Sequence, residues 1–202
     1  MQALVINGRR DGGPDGARLA RTLSRCDELG FECARVPAVF TEMPSYRARY
    51  GDHTAMGPVD RYVRGCRAAH RDALEAVARG GARAAVLEDD IALPASGARE
   101  AVRDFARATE GVDLAYAGHC MDTLCAHALL VTPEGAERIL GSLDWDAATP
   151  YDNQLEELCQ SGAITCAYAD EPPGARYGDP TWTTGGIVRQ VREANVAAQP
   201  WF

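Results

Sequence analysis

Ala84-Ala85-Val86-Leu87-Glu88-Asp89-Asp90 passes from small and apolar side chains straight into three consecutive acids, and Ile91-Ala92-Leu93-Pro94 follows. The apolar part reads as a buried strand. The acids then lie where that strand leaves the core. Carboxylates packed side by side repel one another and are costly to desolvate unless a cation or hydrogen bonds compensate them. A divalent ion that also holds a diphosphate meets both demands, because hard cations take oxygen ligands and bridge protein to phosphate. A polar strand end, with Asp90 capping or turning the chain, is the alternative.

Working outward, residues 3–7 form a first strand and Gly8 to Gly16 a Gly- and Asp-rich loop. A helix over 17–29 sets Leu19, Leu23 and Cys26 on one face and stops at Gly30. Phe31 to Val36 reads as a second strand, so the chain opens as an α/β sheet. Residues 37–59, broken by Pro44, Gly51, Gly57 and Pro58, are expected as a long irregular loop. Asp60 can cap a helix to about Arg79 whose inward face holds Val63, Cys66, Ala69, His70, Ala73, Leu74 and Val77. Gly80-Gly81 ends it just before the acid-tipped strand.

Downstream, a helix is expected over 98–109, with strands over 113–117 and 125–131. Thr132-Pro133-Glu134 is a helix start, with Thr as cap and Pro at the first position. Thr149-Pro150-Tyr151-Asp152 predicts another helix by the same logic, and residues 164–168 a late strand. The tail from Asp170 is rich in Gly, Pro and aromatics. No repeat or linker interrupts the series, so a single domain is expected over 1–202.

The 202 residues suffice for one sizeable core, and the formal net charge of -8 argues against a general nucleic-acid surface. Lys is absent; Arg supplies all the basic side chains, which suits forks on phosphate or carboxylate. The opening residues read as a strand rather than a signal peptide, and no apolar run is long enough to cross a bilayer, so a cytoplasmic location is expected. The seven cysteines are odd in number and irregular in spacing, which predicts reduced thiols. His119, Cys120, Cys125 and His127 offer zinc ligands, in a spacing unlike the familiar finger or ribbon patterns.

Four blocks follow one another over nearly the whole chain. They are Val5-Ile6-Asn7 with Arg35-Val36-Pro37-Ala38-Val39; Gly65-Cys66-Arg67-Ala68-Ala69-His70-Arg71; Val86-Leu87-Glu88-Asp89-Asp90-Ile91; and Cys125 to Leu140, which includes Gly135-Ala136. In these blocks the chain resembles glycosyltransferase family 25, which includes bacterial lipooligosaccharide galactosyltransferases and collagen galactosyltransferases. Ala69 stands where the family has Ser, Gly8 where it usually has Leu, and residues 178–190 follow the family's ending only loosely. The resemblance implies a GT-A fold: a single-domain α/β/α sandwich on a mostly parallel central sheet. It also implies a UDP-sugar donor (galactose or glucose), Mn²⁺ or Mg²⁺, and a glycan, lipid-linked saccharide, peptide or small-molecule acceptor.

Alternation along an extended segment points Glu88 and Asp90 the same way, as ion contacts, and sends Asp89 to the other side. There Asp89 would bond a ribose hydroxyl, or reach the metal if the strand has already turned. Asn7 and Gly8 end the first strand, where ligands of α/β sheets sit. Arg10 and Arg71 are phosphate contacts or ordinary surface arginines. His70 is a partner for donor phosphate or the acid cluster, or a satisfied core histidine.

Asp152 matches the family's Asp and is the candidate base that accepts the acceptor's hydroxyl proton. Its bland reading is a first-turn acid favoured by the helix dipole, which would lower its pKa and weaken it as a base. Asp144 and Asp146 are the spares, and Tyr151, Trp182 and Trp145 offer the sugar an apolar platform. Two other functions share these features: metal-dependent nucleotidyl transfer, and non-catalytic nucleotide-sugar binding. The absence of Lys and of a Gly-x-x-x-x-Gly-Lys loop weighs against phosphoryl chemistry of the triphosphate-cradle kind.

Overall fold

β1 (Gln2–Asn7) pairs in parallel with both β2 (Glu32–Pro37) and β3 (Ala84–Glu88). The computed structural model describes residues 1–7, 14–92, 97–119, 125–147, 149–169, 185–186 and 189–190. Beyond β3 the seven-stranded sheet continues through β6 (Ala128–Val131), β5 (Leu114–His119) and β7 (Cys166–Tyr168), in the order β2-β1-β3-β6-β5-β7, with β8 (Gly185–Gly186) also on β5. β6 is antiparallel to both β3 and β5, and β8 to β5. The strands β2, β1, β3, β5 and β7 therefore share one direction, and the sheet is mixed but mostly parallel. A short second sheet joins β4 (Ile91–Ala92) to β9 (Arg189–Gln190).

Period-two alternation sorts the core onto the two sheet faces. Leu4, Ile6, Val86, Leu129 and Val131 pack against α3 (Pro58–Gly80), α5 (Pro133–Ser142) and α6 (Tyr151–Ser161). Ala3, Val5, Ala85, Leu87 and Leu130 face α1 (Pro14–Leu29) and α4 (Ala98–Ala108). This is the expected α/β/α sandwich. Two glycines of the quoted blocks are fixed by close approach. A Cβ on Gly65 would lie 2.7 Å from the Val39 carbonyl oxygen, and one on Gly135 would collide with the Asp113 backbone.

Several expectations are corrected. Residues 37–59 are not wholly irregular: Pro44 starts α2 (Pro44–Tyr50), and Tyr46 anchors it with only 2% exposure. α3 starts at Pro58 with Gly57 at the cap, so Asp60 is a first-turn acid rather than the cap. Thr132 caps α5 as read, its Oγ1 accepting from the Gly135 amide at 3.0 Å. Thr149 does not cap α6; Pro150 holds that position with no side-chain cap bond.

The reduced-thiol expectation fails as well. Cys26–Cys33 and Cys159–Cys166 are disulfides, with Cα atoms 6.1 and 5.6 Å apart. Each closes a helix–glycine–strand reversal, at Gly30 and Gly162, both with positive φ. That turn brings a last-turn cysteine back beside the next strand, which bare spacing does not reveal. Cys125 is disulfide-bonded too, which removes a thiolate from the zinc group considered with His119, Cys120 and His127. Among the described residues Cys66 is the free cysteine, and no helix is long and apolar enough to cross a membrane.

Candidate functional site

The register of the central strands carries the acids to one edge. Ile6 pairs with Glu88 across β1 and β3, so Asn7 stands beside Asp89 one step further on. Asn7 Nδ2 donates to Asp89 Oδ2 at 2.5 Å, and Thr22 Oγ1 donates to the Asp89 carbonyl at 2.9 Å. Asp89 is thus held from the β1–α1 side.

Glu88 is held from the opposite side. His70 Nε2 on α3 lies 3.1 Å from Glu88 Oε1. The Glu88 amide donates to the His127 carbonyl at 2.9 Å, which extends the β3–β6 ladder by one step. Burial pushes the Glu88 carboxyl up, but the hydrogen bond from His70 and the electrostatic influence of His70 and His127 outweigh it and hold it below the usual range. Glu88, Asp89 and Asp90 are all half-buried.

The stack above Glu88 leads to Asp152. The Tyr151 ring lies on the His70 ring with centroids 4.4 Å apart and planes 22° from parallel. Tyr151 is 4% exposed, so it is a wall of the site rather than an open sugar platform. The next residue, Asp152, has its carboxyl raised, first by burial and further by the Glu88 charge. Hydrogen bonds from the Asn153 and Asp152 amides and the influence of His70 oppose this. Burial therefore overrides the helix-terminus effect that was expected to depress it.

Cys66 completes the cluster. It sits one turn before His70 on the same face of α3. Its thiol, a His70 ring nitrogen and a Glu88 carboxylate oxygen all lie within 4.8 Å of one another. Burial, then the charges of Glu88 and Asp152, push the thiol's pKa up. The i, i+4 spacing was the signal in the sequence, but it read there only as a shared inward face.

Other expected residues stand elsewhere. Arg71 pairs with Glu75 at 3.2 Å and lies over the Tyr50 and Trp145 rings. Trp145 packs against the core and donates its Nε1–H to the Leu140 carbonyl. Asp144 accepts from the Asp146 amide at 3.0 Å, a turn contact, and donates its own amide to Gln154 Oε1. The loop carrying both acids is fastened by Arg67, which sequence reasoning missed. Arg67 is 1% exposed and donates to the carbonyls of Asp144, Trp145, Ala147 and Thr149. Gly8, Arg10, Cys120 and Trp182 lie outside the described residues, as does the side chain of His119.

The chain is structurally similar to a Bacillus anthracis protein assigned as a glucose-1-phosphate thymidylyltransferase and solved with sucrose. The TM-score is 0.50 at 10% identity, over 84% of this chain and 87% of that one. It has the fold of that protein. A Drosophila β-1,4-galactosyltransferase 7 mutant, in complex with manganese, UDP-Gal and xylobiose, aligns with a TM-score of 0.45 at 12% identity, over 92% of this chain and 70% of that one. No family model and no curated protein matches the sequence.

Proposed function

We propose that this chain is a metal-dependent glycosyltransferase of the family 25 kind. In this reading it transfers a hexosyl group, galactose or glucose, from a UDP-sugar to an acceptor hydroxyl with inversion. The observation that carries the reading is the convergence at the end of β3. Glu88 is oriented by His70, Asp89 is oriented by Asn7, and Asp152, its carboxyl raised, adjoins them through the Tyr151–His70 stack.

Half-buried carboxylates at a strand end are the hard oxygen donors that Mn²⁺ or Mg²⁺ takes. Glu88, Asp89 and Asp90 would hold the ion, which when bound neutralises charge growing on the departing diphosphate. Asn7 and His70 fix two of those carboxylates so that they do not reorganise during transfer. Asp152 serves as base because burial raises its proton affinity towards the working pH, and it accepts the acceptor's hydroxyl proton as the new bond forms. Gly8 and Arg10 complete the donor side in this reading, and Cys125 to Leu140 follows the family's fourth block.

The same strand-end acids would serve nucleotidyl transfer, and the similarity to the thymidylyltransferase favours that as the second reading on fold alone. Product analysis with UDP-galactose or UDP-glucose, Mn²⁺ and a panel of saccharide acceptors separates the two. Glycosyl transfer releases UDP, whereas nucleotidyl transfer from a triphosphate releases pyrophosphate. Release of UDP that disappears in Asp90→Ala and persists in the surface variant Asp104→Ala supports the first. No UDP release and no donor-dependent thermal shift with any UDP-, GDP- or dTDP-sugar overturns it.

A further inference from the structure

The ligand set Cys66–His70–Glu88 is chemically unlike the acids beside it. It combines a thiol, an imidazole and a single carboxylate, and two of the three come from one face of α3. Thiolate and imidazole select transition ions, and hard Mg²⁺ has little use for sulfur. Tetrahedral zinc, with bonds of about 2.3 Å to sulfur and about 2.0–2.2 Å to nitrogen or oxygen, sets ligand atoms roughly 3.3–3.8 Å apart. The three atoms here fall within 4.8 Å, and His70 Nε2 and Glu88 Oε1 are already at 3.1 Å. Shifts of about 1 Å by the partly exposed Cys66 and Glu88 side chains complete that geometry.

Two buried polar atoms border the cluster without a protein partner. His70 is fully buried, yet its Nδ1 has no hydrogen-bond partner. The hydroxyl of Tyr151, whose ring covers His70, is also buried without one. Water ordinarily satisfies such atoms, and because Nε2 is the nitrogen turned to Glu88, Nδ1 belongs to the surroundings of the ligand set and not to the set itself. Three protein ligands leave a fourth position open, the arrangement of a reactive rather than a closed structural zinc centre.

We infer that Cys66, His70 and Glu88 form a binding site for a zinc-class transition-metal ion, distinct in its ligand chemistry from the adjoining oxygen site proposed for the donor's ion, with Glu88 common to both. The inference stands whether or not the chain handles nucleotide-sugars.

Cobalt titration of the metal-free protein, without reductant so that the disulfides stay closed, tests it. The expected result is a near-ultraviolet thiolate-to-cobalt charge-transfer band and intense visible bands of four-coordinate Co²⁺ that saturate at one equivalent. Both are displaced by Zn²⁺ and not by Mg²⁺. The charge-transfer band is abolished in Cys66→Ser. In Glu88→Gln it persists, with Co²⁺ affinity lowered by at least the about 10–100-fold typical of losing a partner that supports a metal site. On the wild-type protein, Zn²⁺ should also slow iodoacetamide modification of Cys66, which keeps the question decidable if a variant does not fold. No sulfur charge-transfer band, or a band unchanged in folded Cys66→Ser, overturns the inference, as does Cys66 alkylation indifferent to Zn²⁺.

Discussion

His70 on α3 and Glu88 at the end of β3 are joined side chain to side chain at 3.1 Å, although they come from different layers of the sandwich. The pair couples the helix that carries Cys66 to the strand that carries the acids. Its electrostatics set a pH dependence. Because the Glu88 carboxyl is held below the 4.5 of an ordinary glutamate, it loses its proton more readily folded than unfolded. The stability it contributes is therefore present above that value and is lost as pH falls through its lower folded value. Melting temperature followed from pH 6 downwards should drop more steeply below pH 4.5 in the wild type than in Glu88→Gln. Parallel curves would show that the contact contributes nothing.

Asp152 has the opposite sign. Its carboxyl is raised above 3.8, so a rate that needs the carboxylate form falls away on the acid side at a higher pH than an ordinary aspartate would give. Asp152→Asn should lower turnover by about 10²–10⁴-fold while leaving donor binding in place. At neutral pH the same substitution should raise the melting temperature, because the native state then no longer holds a reluctant buried charge. Full turnover in Asp152→Asn would move the base elsewhere.

Arg67 is a structural cation with backbone carbonyls as its partners. Arg67→Met would remove the donor shared by four carbonyls of one loop, at a cost of about 1.5–3 kcal/mol in urea unfolding, the range for hydrogen bonds to a charged group. Arg67→Lys should restore little, since one ammonium cannot span acceptors that the guanidinium fork reaches together. A Lys variant with wild-type stability would show that the charge alone suffices.

The two glycines of α5 should separate cleanly. A Cβ on Gly135 meets the Asp113 backbone, whereas one on Gly141 meets nothing within 4 Å. Gly135→Ala is expected to destabilise by about 1–3 kcal/mol or more, as overpacking against backbone does. Gly141→Ala should stabilise by about 0.5–1 kcal/mol, the ordinary helix preference for Ala. Denaturant midpoints of the two variants check both signs.

Cys26–Cys33 and Cys159–Cys166 each span a sequence separation of 7. Chain-entropy reasoning gives roughly 2–3 kcal/mol for loops this short. Cys26→Ala/Cys33→Ala and Cys159→Ala/Cys166→Ala should each lower stability by about that amount, and mass mapping without reductant should recover both linked peptide pairs.

The sequence already displayed the sheet and its acid-tipped strand, because an apolar run ending in carboxylates has few other uses. It also showed the Thr132 cap, where hydroxyl, Pro and acid occupy their usual helix-start positions. What stayed hidden depends on residues far apart in the chain. The direction of β6 is set by its neighbours and not by its own Ala-Leu-Leu-Val, so the strand could be read, three residues too long at 125–131, but not as a reversed one. Thr149 had the signature of a cap, yet its carbonyl is taken by Arg67 and the helix begins behind Pro150. The grip of Arg67 on that loop spans about 80 residues and leaves no local pattern. Cys66 and His70 were visible as one helix face, but their proximity to Glu88 requires the packing of α3 on the sheet.

The Arg67 anchor also bears on how the proposed site would meet a ligand. Moving the Trp145, Ala147 and Thr149 carbonyls would strand a buried guanidinium, so these anchored residues ahead of Tyr151 and Asp152 resist displacement. Ordering entropy for those residues is spent during folding and not at encounter, which would leave recognition on this wall close to lock-and-key.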